Sequence, residues 1–299
     1  ENSHQSSTTL MNINIQGVSM SEKGIISGYN MAKEIYAEKG IDIDKAMEKA
    51  NGRPISMHCW QGDDLIGFDG SGSLTGGIQV TGNYPGRAST AEELREDMSF
   101  AMDLIPGEVK ANLHANYAEV KDKSKDRDAY TFEDFSEWGE WALEKKIGVD
   151  FNPTFFSHDM MDGDFSLSSF DSEKRKFWIE HGKRSREIAL GFAELTGRPS
   201  VVNYWMPDGY KDICVDTLKR RELMLDALDQ IFAAPIDEDK VPCAIESKLF
   251  GLGVESHTVV SHEFAMGYAQ SRNIVYTLDA GHFHPTETIS SKFTAVMSF

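Results

Sequence analysis

An alternation constrains this chain more than any other feature: six short β-rich runs, each leading into a helical stretch. The runs are Ile55–Trp60, Val109–Tyr117, Gly148–Phe155, Ser200–Trp205, Val241–Leu249 and Asn273–Leu278. Strands separated by helices predict a parallel sheet, because each return to the same edge needs a crossover. The intervening helices carry their own punctuation. Thr90-Ala91-Glu92-Glu93 is a capping-box sequence, and Pro106-Gly107 closes the helix it starts. Phe135, Trp138 and Ala142 mark one face of the next helix. A long one bearing Phe177, His181, Ile188, Phe192 and Leu195 ends at Gly197-Arg198-Pro199, and Leu218, Leu225, Leu228 and Phe232 predict another before Pro235. Upstream, Ile25, Tyr29, Ala32 and Tyr36 keep helical spacing up to Gly40.

An alternating chain can make an open doubly wound sheet or a closed barrel. No G-x-G-x-x-G follows the first strand and no G-x-x-x-x-G-K-[ST] occurs, which removes the dinucleotide fingerprint and the P-loop. Polar residues then decide. The strand ends read His58-Cys59-Trp60-Gln61, His114-Ala115-Asn116, Asp150-Phe151-Asn152, Asn203-Tyr204-Trp205, Glu246-Ser247-Lys248 and Asp279-Ala280-Gly281-His282. An open sheet gathers its site at one switch point, whereas a (β/α)8 barrel draws chemistry from many strand ends at once. A TIM barrel is therefore expected. A length of 299 residues suits one such barrel, of ~250 residues, or two smaller domains.

Glu246 and Asp279 lie on neighbouring predicted strands, where two carboxylates can converge on one divalent ion. His282, three residues beyond Asp279, can give an imidazole to a second ion nearby. Each has a plainer reading: a strand-end Asp often caps the next helix, and a lone His is more often a satisfied hydrogen-bonding residue. Trp60 and Trp205 can stack on the apolar face of a sugar or simply close the barrel top. Lys248 can donate to a substrate oxygen or form an ion pair with Glu246 or another carboxylate. His114 can bond a substrate hydroxyl or serve as a buried structural residue. His158, His181, His257 and His262 fall on loops or helix faces and read as structural.

With 30 Lys+Arg against 48 Asp+Glu, a net charge of −18 disfavours nucleic acid and anionic membrane surfaces as partners, and leaves neutral small molecules and metal cations. The cysteines, Cys59, Cys214 and Cys243, are odd in number and widely spaced, which predicts a reducing, cytoplasmic setting. Residues 1–19 are polar, without the apolar core of a signal peptide, and are expected to be a disordered leader ahead of a domain over 20–299.

Several long runs resemble the L-rhamnose isomerase family. Ile55 to Asp64 is similar to its first-strand signature. Leu74-Thr75-Gly76-Gly77-Ile78-Gln79 and Thr81-Gly82-Asn83-Tyr84-Pro85-Gly86 match as well. So do Glu246-Ser247-Lys248-Leu249-Phe250-Gly251 and the run from Leu278 to Glu287. The resemblance implies a (β/α)8 barrel with extra helices, a homotetramer, and interconversion of L-rhamnose and L-rhamnulose by metal-assisted hydrogen transfer between C1 and C2, commonly with manganese at two sites. It assigns Glu246 and Asp279 to a structural, substrate-orienting ion and His282 to a catalytic ion. It places Trp60, His114, Trp205 and Lys248 around the sugar, Lys248 and His282 being its catalytic candidates.

The family pattern continues through two further βα units with more metal ligands. Here Ile289, Phe293, Val296 and Met297 trace an apolar helix face running into Phe299. The expectation is a barrel with about six of eight units, two unpaired sheet edges, and no activity on its own. The alternatives are a shortened, non-catalytic sugar-binding homologue and a related metal-dependent isomerase for another sugar.

Overall fold

Why the strands stand where they do is visible in a computed structural model, which describes residues 21–70, 85–248 and 255–299. The leader expected over 1–19, the runs at 74–79 and 81–84, and positions 249–251 lie outside the described residues. The chain divides into two units, residues 1–53 and 54–299. In the first, α1 (Glu22–Ala37) starts at Ser21, whose hydroxyl accepts the Gly24 N–H, and α2 (Ile43–Asn51) starts at Asp42, whose carboxylate accepts that of Lys45. The turn between them runs through Gly40 at φ +75°, a left-handed conformation that glycine adopts without strain. Asp44 ties the pair by bonding Tyr29 and Lys33 of α1.

The second unit carries a six-stranded parallel sheet of β1 (Ile55–His58), β2 (Val109–His114), β3 (Gly148–Asn152), β4 (Val202–Tyr204), β6 (Cys243–Glu246) and β8 (Val275–Thr277). β5 (Gly209–Tyr210) and β7 (His257–Thr258) form a separate antiparallel ribbon. All six expected strands are present, each shorter than its run of β-rich sequence. The order across the sheet is the order along the chain, so every crossover steps to the next strand and the sheet has no reversal point. That is the winding of a partial barrel rather than of a doubly wound sheet. Among the described residues β1 pairs only with β2 and β8 only with β6, leaving an open edge at each end.

The crossovers are α3 (Ala91–Asp103), α4 (Ser136–Lys145), α5 (Ser172–Thr196), α6 (Thr217–Phe232) and α7 (His262–Arg272); α8 (Ile289–Val296) follows β8. Thr90 caps α3 as expected, while the Glu93 carboxylate reaches one residue further back, to the Ser89 N–H. α6 buries only part of the stripe its leucines suggest: Leu228 is buried and Phe232 packs against the core, while Leu225 is more exposed. Met224, Ala227, Leu228 and Ile231 face inward and Leu218 is exposed; on the same buried face the Arg220 guanidinium lies 3.6 and 3.7 Å from the ring centroids of Phe165 and Phe170.

The register explains how the sheet positions a site. Lys110, Asn112 and His114 alternate along β2 with Val109, Ala111 and Leu113, and pairing aligns them with Gly148, Asp150 and Asn152 of β3. The same face continues through Ser56 and His58 of β1, Asn203 of β4, Glu246 of β6 and Thr277 of β8. Because side chains alternate faces along a strand, one side of the sheet is polar and the other apolar. The apolar side packs under the helices, with Phe135 edge-on to Phe151 at 5.2 Å and Phe132 edge-on to Phe192 at the same distance. Parallel strands usually read as continuous apolar runs, so an alternating set marks an inner face with polar work to do.

Candidate active site

Along the polar face, side-chain amides link neighbouring strands. Asn152 donates to the Asn112 carbonyl oxygen at 2.6 Å, and Asn203 donates to Glu246 Oε2 at 2.5 Å. Thr277 Oγ1 donates to Asn203 Oδ1 at 2.8 Å, which fixes the amide so that its NH2 must point at the carboxylate. Burial, reinforced by the neighbouring Asp279 carboxylate, nonetheless pushes the Glu246 carboxyl up to about 8.

Beyond β8 the chain turns over in a short 3-10 segment, Ala280–His282. Asp279 makes the cap that was the plainer of its two readings. Its Oδ1 caps the turn by accepting the Gly281 N–H at 2.7 Å, and its Oδ2 stands 3.5 Å from His282 Nε2. His282 Nδ1 lies 3.6 Å from Glu246 Oε1, is buried, and has no hydrogen-bond partner. One donor atom from each of Glu246, Asp279 and His282 falls within 4.8 Å of the others. His282 thus joins the two carboxylates in one cluster. The residues fit a divalent cation: two carboxylate oxygens and an imidazole form a suitable hard-to-borderline donor set, and an orphaned buried nitrogen gains a partner.

The cluster borders a cavity of about 640 Å³ at the C-terminal end of the sheet, which Trp60, His114 and Trp205 also line. Trp60 is partly exposed, whereas Trp205 packs edge-on against Phe156 at 5.7 Å. His114 is buried; Thr154 Oγ1 contacts its Nδ1 at 3.2 Å, and its Nε2 has no hydrogen-bond partner. Burial, aided by the His58 ring and the Arg127 guanidinium, pushes the His114 imidazole down to about 3, so it is neutral.

Lys248 does not line this cavity. It is fully buried, ion-paired with Glu255 at 2.8 Å and bonded to the Pro207 carbonyl, with its ammonium 5.7 Å from the Trp205 ring centroid. Of the two readings open for this residue, these contacts match the ion pair. Among the histidines read as structural, His181 is buried against the carbonyls of Arg127 and Pro153.

Several lining residues were missed as site candidates: His58, Asn152, Asn203 and Thr277. The signal for them was the alternation inside the strands. The supports behind the cavity were missed as well. Arg127, fully buried, pairs with Asp69 at 2.9 Å and donates to the carbonyls of Thr154 and Phe156 at 2.9 and 2.7 Å. Asp208 accepts from the backbone N–H and hydroxyl of both Ser166 and Ser168, holding their loop. Neither belongs to a motif, because each acts on loops distant in sequence.

The family model described as L-rhamnose isomerase matches residues 23–299. An L-rhamnose isomerase of Listeria monocytogenes serotype 4a (strain HCC23) is 50% identical over 279 residues, 93% of this chain. One of Escherichia coli O7:K1 (strain IAI39 / ExPEC) is 52% identical over 272 residues, 91% of this chain. The chain spans 66% of the length of the first and 65% of the second. Among solved structures, the apo form of 3-keto-D-glucoside 4-epimerase from E. coli aligns with a TM-score of 0.44 and 13% identity over 71% of this chain and 73% of that one. The sequence matches are decisive: this chain belongs to the L-rhamnose isomerase family.

Proposed function

We propose that the cavity is the sugar site of a metal-dependent aldose–ketose isomerase that interconverts L-rhamnose and L-rhamnulose, built on a (β/α)8 plan to which the six parallel strands among the described residues belong. The observation that carries the reading is the convergence of Glu246, Asp279 and His282 within 4.8 Å beside a cavity with two tryptophans. The reaction moves one hydrogen from C2 to C1 and one proton from O2 to O1, so it needs no external oxidant or reductant. A divalent cation held by the three donors, manganese in the family resemblance, supplies positive charge toward which sugar oxygens orient. Asn203 keeps Glu246 aimed at that point. Trp60 and Trp205 offer apolar ring faces to the sugar carbons. His114 presents its Nε2 to a hydroxyl. Lys248 acts through Trp205, holding the indole in place, and is a positioning residue in this arrangement. His282 is a ligand to the same ion as the carboxylates. No described helix is long and apolar enough to cross a membrane, and the reading includes a cytoplasmic homotetramer.

Calorimetric titration of the chain with MnCl2, followed by L-rhamnose, tests this. Saturable cation binding that Glu246→Gln abolishes, with sugar binding that depends on the cation, is the expected result. Failure of the wild-type chain to bind manganese sinks the metal site. With three donors in reach, rhamnulose formation is expected to stay at the level of a Glu246→Ala control. Turnover well above that control would show that these donors suffice for catalysis. Tight L-rhamnose binding without turnover, independent of cation, would favour a non-catalytic sugar-binding protein.

A further inference from the structure

We propose that Thr154 is a positioning residue that holds His114, a residue lining the cavity, in its Nδ1–H tautomer, so that the buried, unpartnered Nε2 is left bare to accept a hydrogen bond from one sugar hydroxyl. The tautomer half stands on geometry alone; the sugar half rests on the function proposed above.

The Thr154 hydroxyl has one proton to give and two lone pairs. It accepts the Ala115 N–H at 3.0 Å and donates to the Asn152 carbonyl at 3.3 Å. What remains toward His114 Nδ1, at 3.2 Å, is a lone pair, so Nδ1 carries the proton. The far side of the ring agrees. Nε2 is buried without a partner, and an orphaned acceptor is tolerated more readily than an orphaned N–H. Burial keeps the ring neutral, leaving one nitrogen bare.

The hydroxyl reaches this place at a cost in backbone conformation. Thr154 sits at φ +60° and Ser157 at φ +55°, the left-handed region that a β-branched residue rarely enters. The buried Arg127 guanidinium, anchored by Asp69, holds the strained turn by bonding the Thr154 and Phe156 carbonyls. Strain maintained beside a cavity, with a hydroxyl aimed at a ring that lines it, is the pattern of a preorganised binding group.

The imidazole 15N shifts of the chain test the first half, with the His114 signals assigned by their loss in His114→Gln. The expected spectrum has a pyrrole-type Nδ1 and a pyridine-type Nε2, retained in Thr154→Ser and replaced by a tautomer mixture in Thr154→Ala. A pyridine-type Nδ1 in the wild type overturns the proposal, as does a Thr154→Ala chain that keeps the pure Nδ1–H form. Should Thr154→Ala not fold, the wild-type spectrum decides alone.

A calorimetric series of monodeoxyfluoro L-rhamnoses tests the second half, since fluorine replaces a donor with a group that cannot donate. One member is expected to bind about tenfold more weakly than L-rhamnose, and His114→Phe is expected to erase that difference. Equal binding across the series in the wild type overturns the acceptor role. A chain that binds no L-rhamnose overturns the sugar half together with the proposed function, while the 15N shifts still decide the tautomer.

Discussion

On the β2–β3 side of the cavity the functional side chains stand on strands buried along their whole length, whereas on the β8 side they stand on an exposed edge. His114 and Asn152 are about 9% and 5% exposed, and Arg127 fastens the loop behind them. The Asp279 side chain is 41% exposed, Val275 is 54% exposed, and α8 buries none of its residues. One side is held by protein alone. The other brings two carboxylates and a histidine together on that exposed edge, with His282 3.5 and 3.6 Å from the Asp279 and Glu246 oxygens. On the proposed function, a cation bound among the three donors would add order to this side.

The largest effect expected from breaking this contrast is at Arg127. Arg127→Met leaves Asp69 charged and buried, and should cost about 3–5 kcal/mol, read as a lower urea midpoint. A loss under about 1 kcal/mol, within the range of an ordinary surface change, would mean that the guanidinium does not hold that side together. On the β8 side, Glu246→Gln should weaken manganese binding by roughly a hundredfold or more, with little change in the urea midpoint of the cation-free chain at pH 4, where the wild-type carboxyl is protonated in the folded chain and largely so in the unfolded one. Asn203→Leu, which removes the donor behind Glu246, should weaken cation binding by about 10–100-fold.

Acidity separates the two sides in opposite directions. His114 titrates at about 3 when folded and near 6.5 when unfolded, so between those values the unfolded chain binds more protons and stability rises with pH. Glu246, in the cation-free chain, titrates at about 8 when folded and near 4.5 when unfolded. Between those values the folded chain binds more protons, and stability falls as pH rises. Each contributes a slope of up to about 1.4 kcal/mol per pH unit. Urea midpoints across pH 4–8 should show Glu246→Gln removing the falling component and manganese suppressing it. A falling limb that survives Glu246→Gln assigns it to another group. The smallest effect belongs far from either side: Lys176→Ala, at an exposed pair with Glu173, should move stability by no more than about 0.5 kcal/mol.

Much of this was legible in the sequence, because the signals that place strands and helices are local. The helix starts at Thr90 and the stop at Gly197 depend on residues within a turn of the boundary. Strand ends were harder. The β-rich run to Tyr117 stops as a strand at His114, where the backbone leaves the sheet for a 3-10 turn whose Asn116 and Tyr117 side chains donate to the Leu65 carbonyl and the Asp63 carboxylate. Glu246, Asp279, His282, Trp60, His114 and Trp205, all of which line the cavity, stood out because they punctuate apolar runs. Asn152 and Asn203 were passed over, although the alternation of their strands marked them. Arg127 and Asp208 left no trace, since each bonds carbonyls or serines tens of residues away. The contacts of Lys248 with Glu255 and Pro207 depend on how loops fold back, which no spacing encodes.

The two-faced sheet also limits how this chain can go wrong while folding. If β2 slid by one residue against β3, Leu113 would stand where His114 belongs, and Lys110, Asn112 and His114 would be driven beneath the helices among Phe135, Phe151 and Phe192. Charges and amides buried there without partners would make that arrangement unstable. The polar side chains of the inner face, His114 of the pocket among them, therefore also exclude misaligned sheets. A substitution that made the inner face apolar would weaken ligand binding, and it would also remove the penalty that keeps each strand in its proper alignment.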